Sequence, residues 1–136
     1  MLETQDFLLG IADMQHNSRF LQLVDQVRHH VQHIEALQLL HWINTNYPVY
    51  VIDVREKEEF ERGHLPHAIH LSKGVIERDI ERFIPHPDTE IVVYCSGGFR
   101  SILAAEALQK MGYSKVKSLV AGANAWQGSG LPWQEK

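Results

Sequence analysis

The sequence predicts an α/β fold with a mainly parallel central sheet, and three observations lead to this prediction. Two nearly continuous apolar runs rich in β-branched residues, 49–54 and 91–94, are typical of central parallel strands. Segments with apolar residues at helical spacing lie between these runs and on either side of them. Strands that alternate with helices indicate parallel pairing, and the length of 136 residues suits one domain with one core.

The amino-terminal 30 residues are predicted to form an amphipathic helical extension, which precedes a domain at residues 31–136. The apolar residues at helical spacing are Phe20, Leu21, Val24, Val27 and Val31, and Ser18 is a candidate N-cap. Because an exposed apolar stripe of this size is unusual on a monomer, we expect the extension to pack on the domain within one monomer. A dimer in which the stripe pairs with a second subunit is the alternative.

The elements of the domain follow in order along the chain. Residues 31–34 fit either a short strand or more helix, since four residues do not separate the two periods. Residues 35–43 fit a helix with Leu37, Leu40 and Ile43 on one face. Strands are predicted at residues 49–54, 68–71, 91–94 and 116–120. Helices are predicted at residues 56–62, 74–84, 100–111 and 121–127, each followed by glycine or proline.

Composition and charge exclude several classes of protein. A net charge of −4 without a basic stripe argues against nucleic acid as the partner. No run approaches the roughly 20 apolar residues of a membrane span, and the start lacks the pattern of a secretory signal. A single cysteine excludes an intrachain disulfide and fits a reducing compartment. We therefore expect a cytoplasmic protein that binds neither nucleic acid nor membranes.

The nine histidines do not form a recognisable metal motif. Two groups recur at short spacing, namely His29, His30 and His33, and His64, His67 and His70. Neither group is joined by a cysteine or by a His-Glu-x-x-His pattern. We expect solvated histidine faces, with no metal and no cofactor.

Cys95 opens a glycine-rich loop between a predicted strand and a predicted helix. The loop consists of Ser96, Gly97, Gly98 and Phe99, and the helix begins at Arg100. In this geometry successive backbone N–H groups can point at one sulfur atom, and the positive end of the helix dipole adds to them. A thiolate stabilised in this way is a nucleophile. The alternative, a buried structural cysteine, does not explain the glycine loop.

The first central strand, which precedes the strand before Cys95 along the chain, ends in polar residues as well. Asp53, Val54 and Arg55 stand at the end of the run at 49–54, and the carboxyl ends of parallel strands meet at one rim of a sheet, where ligands bind. Asp53 and Arg55 fit a catalytic role less well than a structural ion pair that braces the loop. The sequence thus gives two independent pointers to one site.

Four motifs in register resemble the rhodanese-like sulfurtransferases over roughly residues 31–133. The matching positions are 53–56 with 59–60, 63–66 with 68–69, 94–101 with 104–105, 111–113, and finally 122 with 126, 130 and 132. The resemblance implies the rhodanese-like fold, with helices on both faces of the sheet. The sequence departs from the family at His67 and Ala121, where glycine is frequent. We expect His67 to affect a turn and substrate access, and Ala121 to be neutral.

The resemblance also implies a reaction and a set of roles. Cys95 would be the catalytic nucleophile that takes sulfane sulfur from a donor such as thiosulfate, becomes a persulfide, and passes the sulfur to cyanide, a thiol or a sulfur-accepting protein. The substrate-binding residues would be Ser96, Gly97, Gly98, Phe99, Arg100 and Arg55, and the loop-supporting residues would be Asp53 and Ser101. The backbone amides of residues 96–100 would surround the transferred sulfur, and Phe99 would line the mouth of the pocket. Arg100 either binds the anionic donor or turns to pair with a carboxylate.

Three rival functions differ in what they require of the loop. A cysteine-dependent phosphatase or arsenate reductase has five residues between cysteine and arginine, whereas this chain has the four residues 96–99. A shorter loop closes on a smaller ring, which suits one sulfur atom better than a tetrahedral oxyanion, and a reductase needs a second thiol. A non-catalytic binding module of this family commonly lacks the cysteine. A relay that passes persulfide sulfur between proteins has the same sequence requirements as the leading interpretation.

Overall fold

A computed structural model of the protein describes residues 17–135, so the prediction for residues 1–16 lies outside the described part. The helices there are α1 (Ser18–Arg28), α2 (Ala36–Asn44), α3 (Lys57–Arg62), α4 (Ile76–Phe83), α5 (Arg100–Lys110) and α6 (Gly122–Gly128). The strands are β1 (Gln32–Ile34), β2 (Tyr50–Asp53), β3 (Gly63–His64), β4 (Ile69–His70), β5 (Ile91–Tyr94), β6 (Val116–Leu119) and β7 (Gln134–Glu135). None of these helices has the length and apolar character needed to cross a bilayer.

Five strands form one parallel sheet in the order β1-β6-β5-β2-β4. The two apolar runs therefore form the neighbouring strands β5 and β2, as their β-branched composition predicts. Their register pairs Asp53 with Tyr94 at the carboxyl end of both strands. This pairing brings the two polar motifs of the sequence to one edge of the sheet.

The sheet separates two apolar cores, which makes the fold a three-layer α/β structure. On one face Ile52 and Val93 pack in a core with side chains of α1, α4 and α5. On the other face Val92 and Tyr94 pack in a core with side chains of α2 and α6. Successive residues of β5 alternate between the two cores, as the period of a strand requires. Cys95, directly after β5, follows Val93 into the core that includes α1.

The first helix contributes to this core directly. Val24 is fully buried and Val27 is nearly so, and both belong to the cluster that contains Cys95. Asn17 is the residue before the first turn, so the predicted N-cap Ser18 is instead the first residue of the helix. The four ambiguous residues at 31–34 contain a strand, because Gln32–Ile34 pairs in parallel with β6.

One further prediction was wrong in detail, and one small sheet was not predicted. Leu39 is the buried leucine of α2, whereas Leu37, which was predicted to face the core, is 70% exposed. The actual apolar face runs through Ala36, Leu40 and Ile43 on either side of Leu39. A small antiparallel sheet of β3 and β7 was not predicted at all. Strands of two residues have no detectable period, and the pairing joins segments 70 residues apart in sequence, from His64 to Gln134.

His67 and Ala121, where the resemblance led us to expect glycine, both have a left-handed backbone. Their φ angles are 65° and 56°. A residue with a Cβ atom in this region costs about 1–2 kcal/mol, whereas glycine adopts it freely. The expectation that Ala121 is neutral therefore needs correction, since its Cβ atom destabilises the turn before α6.

We predict that His67→Gly stabilises the protein. Relief of the left-handed strain exceeds the greater entropy of the unfolded chain, and we expect a net gain of about 0.5 kcal/mol in the free energy of unfolding. Urea denaturation measures this change. The control His86→Gly replaces another exposed histidine, which is not among the residues with positive φ, and should destabilise. Equal effects of the two substitutions would contradict the strain at His67.

Candidate active site

The candidate site lies at the carboxyl ends of β2 and β5, where the sequence predicts it. Cys95 is the first residue after β5 and is only 1% exposed. The turn from strand to helix places α5 directly after the loop at 96–99. The sulfur atom is thus recessed between the end of the sheet and the start of an 11-residue helix.

Three polar groups approach the sulfur atom. The backbone N–H groups of Gly98 and Ser101 donate to Cys95 Sγ at 3.2 and 3.4 Å. The Ser101 hydroxyl lies 3.5 Å from Sγ and 2.7 Å from the Ser118 hydroxyl. Two amides that donate to one atom favour negative charge on it, and the positive end of the α5 dipole acts in the same direction. The site is therefore suited to hold an anionic sulfur species.

The start of α6 fixes the orientation of the loop. The Cys95 carbonyl accepts a hydrogen bond from the Ala123 amide at 2.8 Å, and the Ser96 carbonyl accepts one from the Asn124 amide at 2.9 Å. Because these carbonyls are held by α6, the peptide groups of the loop cannot rotate freely. The N–H groups of Ser96 and Gly97, which lie on the same two peptide planes, are thereby held pointing away from α6.

Asp53 and Arg55 form a buried ion pair. Arg55 Nη2 lies 2.7 Å from Asp53 Oδ2, and the Tyr94 hydroxyl donates to the same oxygen at 2.7 Å. Arg55 Nη2 also donates to the Gly63 carbonyl at 2.7 Å. Burial lowers the pKa of Arg55, but the hydrogen bond and charge of Asp53 outweigh it, so the pKa is raised. Burial, followed by the charge of Asp53, raises the pKa of Tyr94. This network ties β2, β5 and β3 together.

Arg100 pairs with a carboxylate that the sequence analysis did not assign to the site. Its Nη1 lies 3.0 Å from Glu59 Oε1, and its Nη2 lies 3.2 Å from Glu59 Oε2. Glu59 also accepts a hydrogen bond from the Ser96 hydroxyl at 3.1 Å. Of the two roles considered for Arg100, the structure thus shows the pair with a carboxylate. Glu59 holds both ends of the loop through these two contacts.

The surroundings of Glu59 strongly favour its charged form. Partial burial raises the pKa of Glu59, but hydrogen bonds from Arg100, the Glu56 amide and Ser96, together with the charge of Arg100, lower it to about 2. The hydrogen bond from the Glu56 amide belongs to a capping box at the start of α3. The same carboxylate therefore caps a helix and braces the loop.

We predict that Glu59→Gln lowers the free energy of unfolding at pH 7 by about 1 kcal/mol, the upper range for a partly exposed pair. A carboxylate with a depressed pKa stabilises the fold above its unfolded pKa. The difference between wild type and variant should therefore be full above pH 4.5 and disappear as the pH falls through about 2. Urea denaturation across this pH range measures it. Glu61→Gln, on the exposed side of the same helix, is the control, and a pH-independent loss for Glu59→Gln would contradict the assignment.

Phe99 contacts α1 and is partly buried. Its ring meets the Phe20 ring edge to face, with centroids 6.5 Å apart, and the Arg28 guanidinium lies 6.0 Å from its centroid. We predicted that Phe99 lines the mouth of the pocket. The structure shows a further property of this residue, contact with the amino-terminal helix α1. Both contacts join the loop to a segment that the resemblance does not cover.

The expectation of solvated histidine faces is wrong for His64, which is buried, and for His70, which is half-buried, whereas His29, His30, His33 and His67 are exposed. His64 stacks on Phe60 with a centroid distance of 4.2 Å, and His70 hydrogen-bonds to the Arg55 carbonyl at 2.8 Å. Within residues 17–135 no group of three histidine, cysteine or carboxylate side chains is arranged to hold a metal ion.

Sequence reasoning missed Glu59 and Ser118 as members of the site. Glu59 carried a signal, because a glutamate three residues after Glu56 at a helix start fits a capping box. Ser118 carried a weaker one, a serine next to Leu119 in a predicted strand. Neither signal shows which loop the side chain will contact, since both contacts join distant parts of the sequence.

Comparison with known proteins agrees with this geometry. Residues 35–129 match the family profile described as the Rhodanese-like domain. The chain is 32% identical over 102 residues to YtwF of Bacillus subtilis, provisionally named a sulfurtransferase, and the match covers 75% of this chain and 96% of YtwF. It is 33% identical over 86 residues to YrkF of the same organism, provisionally named a sulfur carrier protein. That match covers 63% of this chain and only 45% of YrkF.

A solved structure is similar to a larger part of the chain than the part that the family profile matches. A Rhodopseudomonas palustris protein of unknown function, suggested to be a tyrosine phosphatase, superposes with a TM-score of 0.74 at 27% identity. The match covers 83% of this chain and 92% of that protein.

Proposed function

Since this chain belongs to the rhodanese-like family of sulfurtransferases, we propose that it transfers sulfane sulfur through a persulfide on Cys95. The observation that carries the proposal is the convergence of the Gly98 amide and the Ser101 amide on one sulfur atom. These groups stabilise an anion at sulfur without a metal or an acid–base pair. A persulfide is such an anion, and its outer sulfur would meet the remaining amides of the loop.

The proposed reaction has two displacement steps. The Cys95 thiolate attacks the outer sulfur of thiosulfate, an S–S bond to Cys95 forms, the S–S bond of thiosulfate breaks, and sulfite leaves with the bonding pair. Cyanide or a thiolate then attacks the outer sulfur of the persulfide. The product is thiocyanate or a new persulfide, and the Cys95 thiolate is regenerated. Charge is conserved in each step, and no oxidant or reductant is consumed.

The proposed site binds the donor mainly through backbone groups. The two arginines that the sequence offers for an anionic donor already hold carboxylates, Arg55 that of Asp53 and Arg100 that of Glu59. Their charge is therefore largely neutralised within the protein. The amides of the loop and the start of α5 supply the remaining positive potential.

A phosphatase role is the principal rival, because a structural relative is suggested to be one. An oxyanion of phosphate needs more room and more donors than one sulfur atom. The loop has four residues between Cys95 and Arg100, and the Arg100 side chain is paired with Glu59. Both features favour sulfur transfer. Hydrolysis of an aryl phosphate faster than turnover of thiosulfate would reverse this preference.

A sulfur relay to a protein acceptor is the second candidate, and the relative named as a sulfur carrier supports it. The first displacement is the same in both candidates, and only the acceptor differs. The test of the shared step is intact-mass spectrometry after incubation with thiosulfate under non-reducing conditions. We expect a species heavier by one sulfur atom, which cyanide removes. A persulfide formed without fast thiocyanate production would favour the relay, and absence of the species would refute the proposed function.

A further inference from the structure

The amino-terminal helix α1 lies on the same side of the sheet as the sulfur atom. Cys95 belongs to the apolar cluster that contains Val24 and Val27, because residues alternate along β5 and Cys95 follows Val93 toward α1. Phe20 and Phe99 pack against this cluster from its edge. The loop that carries the sulfur atom is therefore in contact with α1 through Phe99.

Arg28 places a positive charge beside the loop. Its guanidinium lies 6.0 Å from the centroid of the Phe99 ring, a cation–π arrangement that fixes the side chain over the loop. The Arg28 side chain is 43% exposed, and its carboxylate partner Asp25 is 72% exposed at 3.5 Å. An ion pair as exposed as this one is weak, so Asp25 cancels only part of the positive potential that Arg28 produces at the loop.

The two arginines of the matched motifs, unlike Arg28, are each held closely by a carboxylate. Arg55 is buried against Asp53 at 2.7 Å, and Arg100 is held by both oxygens of Glu59. Neither presents an unpaired charge to a donor. The family profile begins at residue 35, so Arg28 lies outside the segment whose roles the resemblance supplies.

We propose that Arg28 is a specificity-determining residue of the Cys95 site, which selects anionic reactants through its charge above Phe99. The inference rests on the proposed function only in taking Cys95 as the reacting group. Arg28 acts through the positive potential that it produces at the loop, not by contact with the reacting atoms. Its effect should therefore be a few-fold change in rate that weakens as salt is added.

Alkylation of Cys95 tests this inference without any sulfur transfer. Iodoacetate and iodoacetamide react alike: the Cys95 thiolate attacks the methylene carbon, a C–S bond forms, the C–I bond breaks and iodide leaves. Only iodoacetate carries a negative charge, so the ratio of the two rates reports charge selection and cancels changes in thiolate content or access. Because Cys95 is the only cysteine, loss of the free thiol reports on this site alone.

We expect Arg28→Met to lower the iodoacetate-to-iodoacetamide ratio about threefold at low ionic strength, and Arg28→Lys to restore most of it. The matched control Arg19→Met removes the same charge from an exposed residue at the opposite end of α1 and should leave the ratio nearly unchanged. Asp25→Asn removes the counter-ion and should raise the ratio. Salt should bring all variants to one value.

Several results would overturn the inference. Equal ratios in Arg28→Met and Arg19→Met would show that only net charge matters. Failure of lysine at position 28 to restore the ratio would show that charge is not the cause. Should Arg28→Met fail to fold, Asp25→Asn decides alone, since its side chain is exposed, and an unchanged ratio there refutes the proposal. If thiosulfate forms no persulfide but Arg28→Met still lowers the iodoacetate-to-iodoacetamide ratio, the proposed function is wrong and Arg28 remains the source of charge selectivity.

Discussion

Replacing Cys95 with serine is expected to abolish thiocyanate formation from thiosulfate and cyanide while the protein stays folded. A serine hydroxyl is not ionised near neutral pH and forms no persulfide, so no alternative nucleophile in the loop can carry the sulfur. We expect a loss of at least about a thousandfold in kcat/KM, equivalent to roughly 4 kcal/mol of transition-state stabilisation. The assay follows thiocyanate over time at saturating and subsaturating thiosulfate.

The controls separate chemistry from folding. Serine is close in size to cysteine, and its hydroxyl would lie near the Gly98 and Ser101 amides that now donate to Sγ, so the melting temperature should change by only a few degrees. Cys95→Ala should show the same loss of activity, which excludes an effect of the new hydroxyl. Turnover above a few percent of wild type in both folded variants would contradict a Cys95 persulfide.

The central strands could be predicted from the sequence because their signal is local. Ile91–Tyr94 is a continuous apolar run, and the structure has a buried strand with these bounds. Helix α5 was placed within one residue of its observed end, because Arg100 follows the glycine loop and Gly112 follows the helix. A few neighbouring residues are enough to indicate a strand that is buried on both faces, or the glycine that ends a helix.

Features that depend on distant pairing could not be predicted in the same way. The β3–β7 sheet exists because His64 and Gln134 meet, and neither segment has strand character of its own. The choice of Leu39 over Leu37 depends on which side of α2 faces the sheet, a property of the packing and not of the helix. The partner of Arg100 was left open for the same reason, since Glu59 is 41 residues away.

The loop after Cys95 leaves no room for a side chain at Gly122. We therefore expect Gly122→Ala to be strongly destabilising. Its φ angle is 52°, and a Cβ atom there would collide with the carbonyl oxygens of Cys95 and Ser96, the latter at 2.7 Å. These are the carbonyls that α6 holds through the Ala123 and Asn124 amides. Left-handed strain of about 1–2 kcal/mol and overpacking of about 1–3 kcal/mol together predict a loss near 3 kcal/mol.

The same substitution should damage activity beyond its effect on stability, because the contacts it breaks hold the first two peptide groups of the loop that donates to Cys95 Sγ. In the folded fraction we expect kcat to fall at least about tenfold, equivalent to 1.4 kcal/mol, as the Gly98 and Ser101 amides move away from the sulfur. Gly128→Ala is the matched control within α6, since a Cβ atom there meets nothing within 4 Å. It should be neutral or stabilise by about 0.5–1 kcal/mol. Urea denaturation and thiocyanate assays on both variants measure the contrast, and a Gly122→Ala protein as stable and active as Gly128→Ala would show that the start of α6 does not shape the loop.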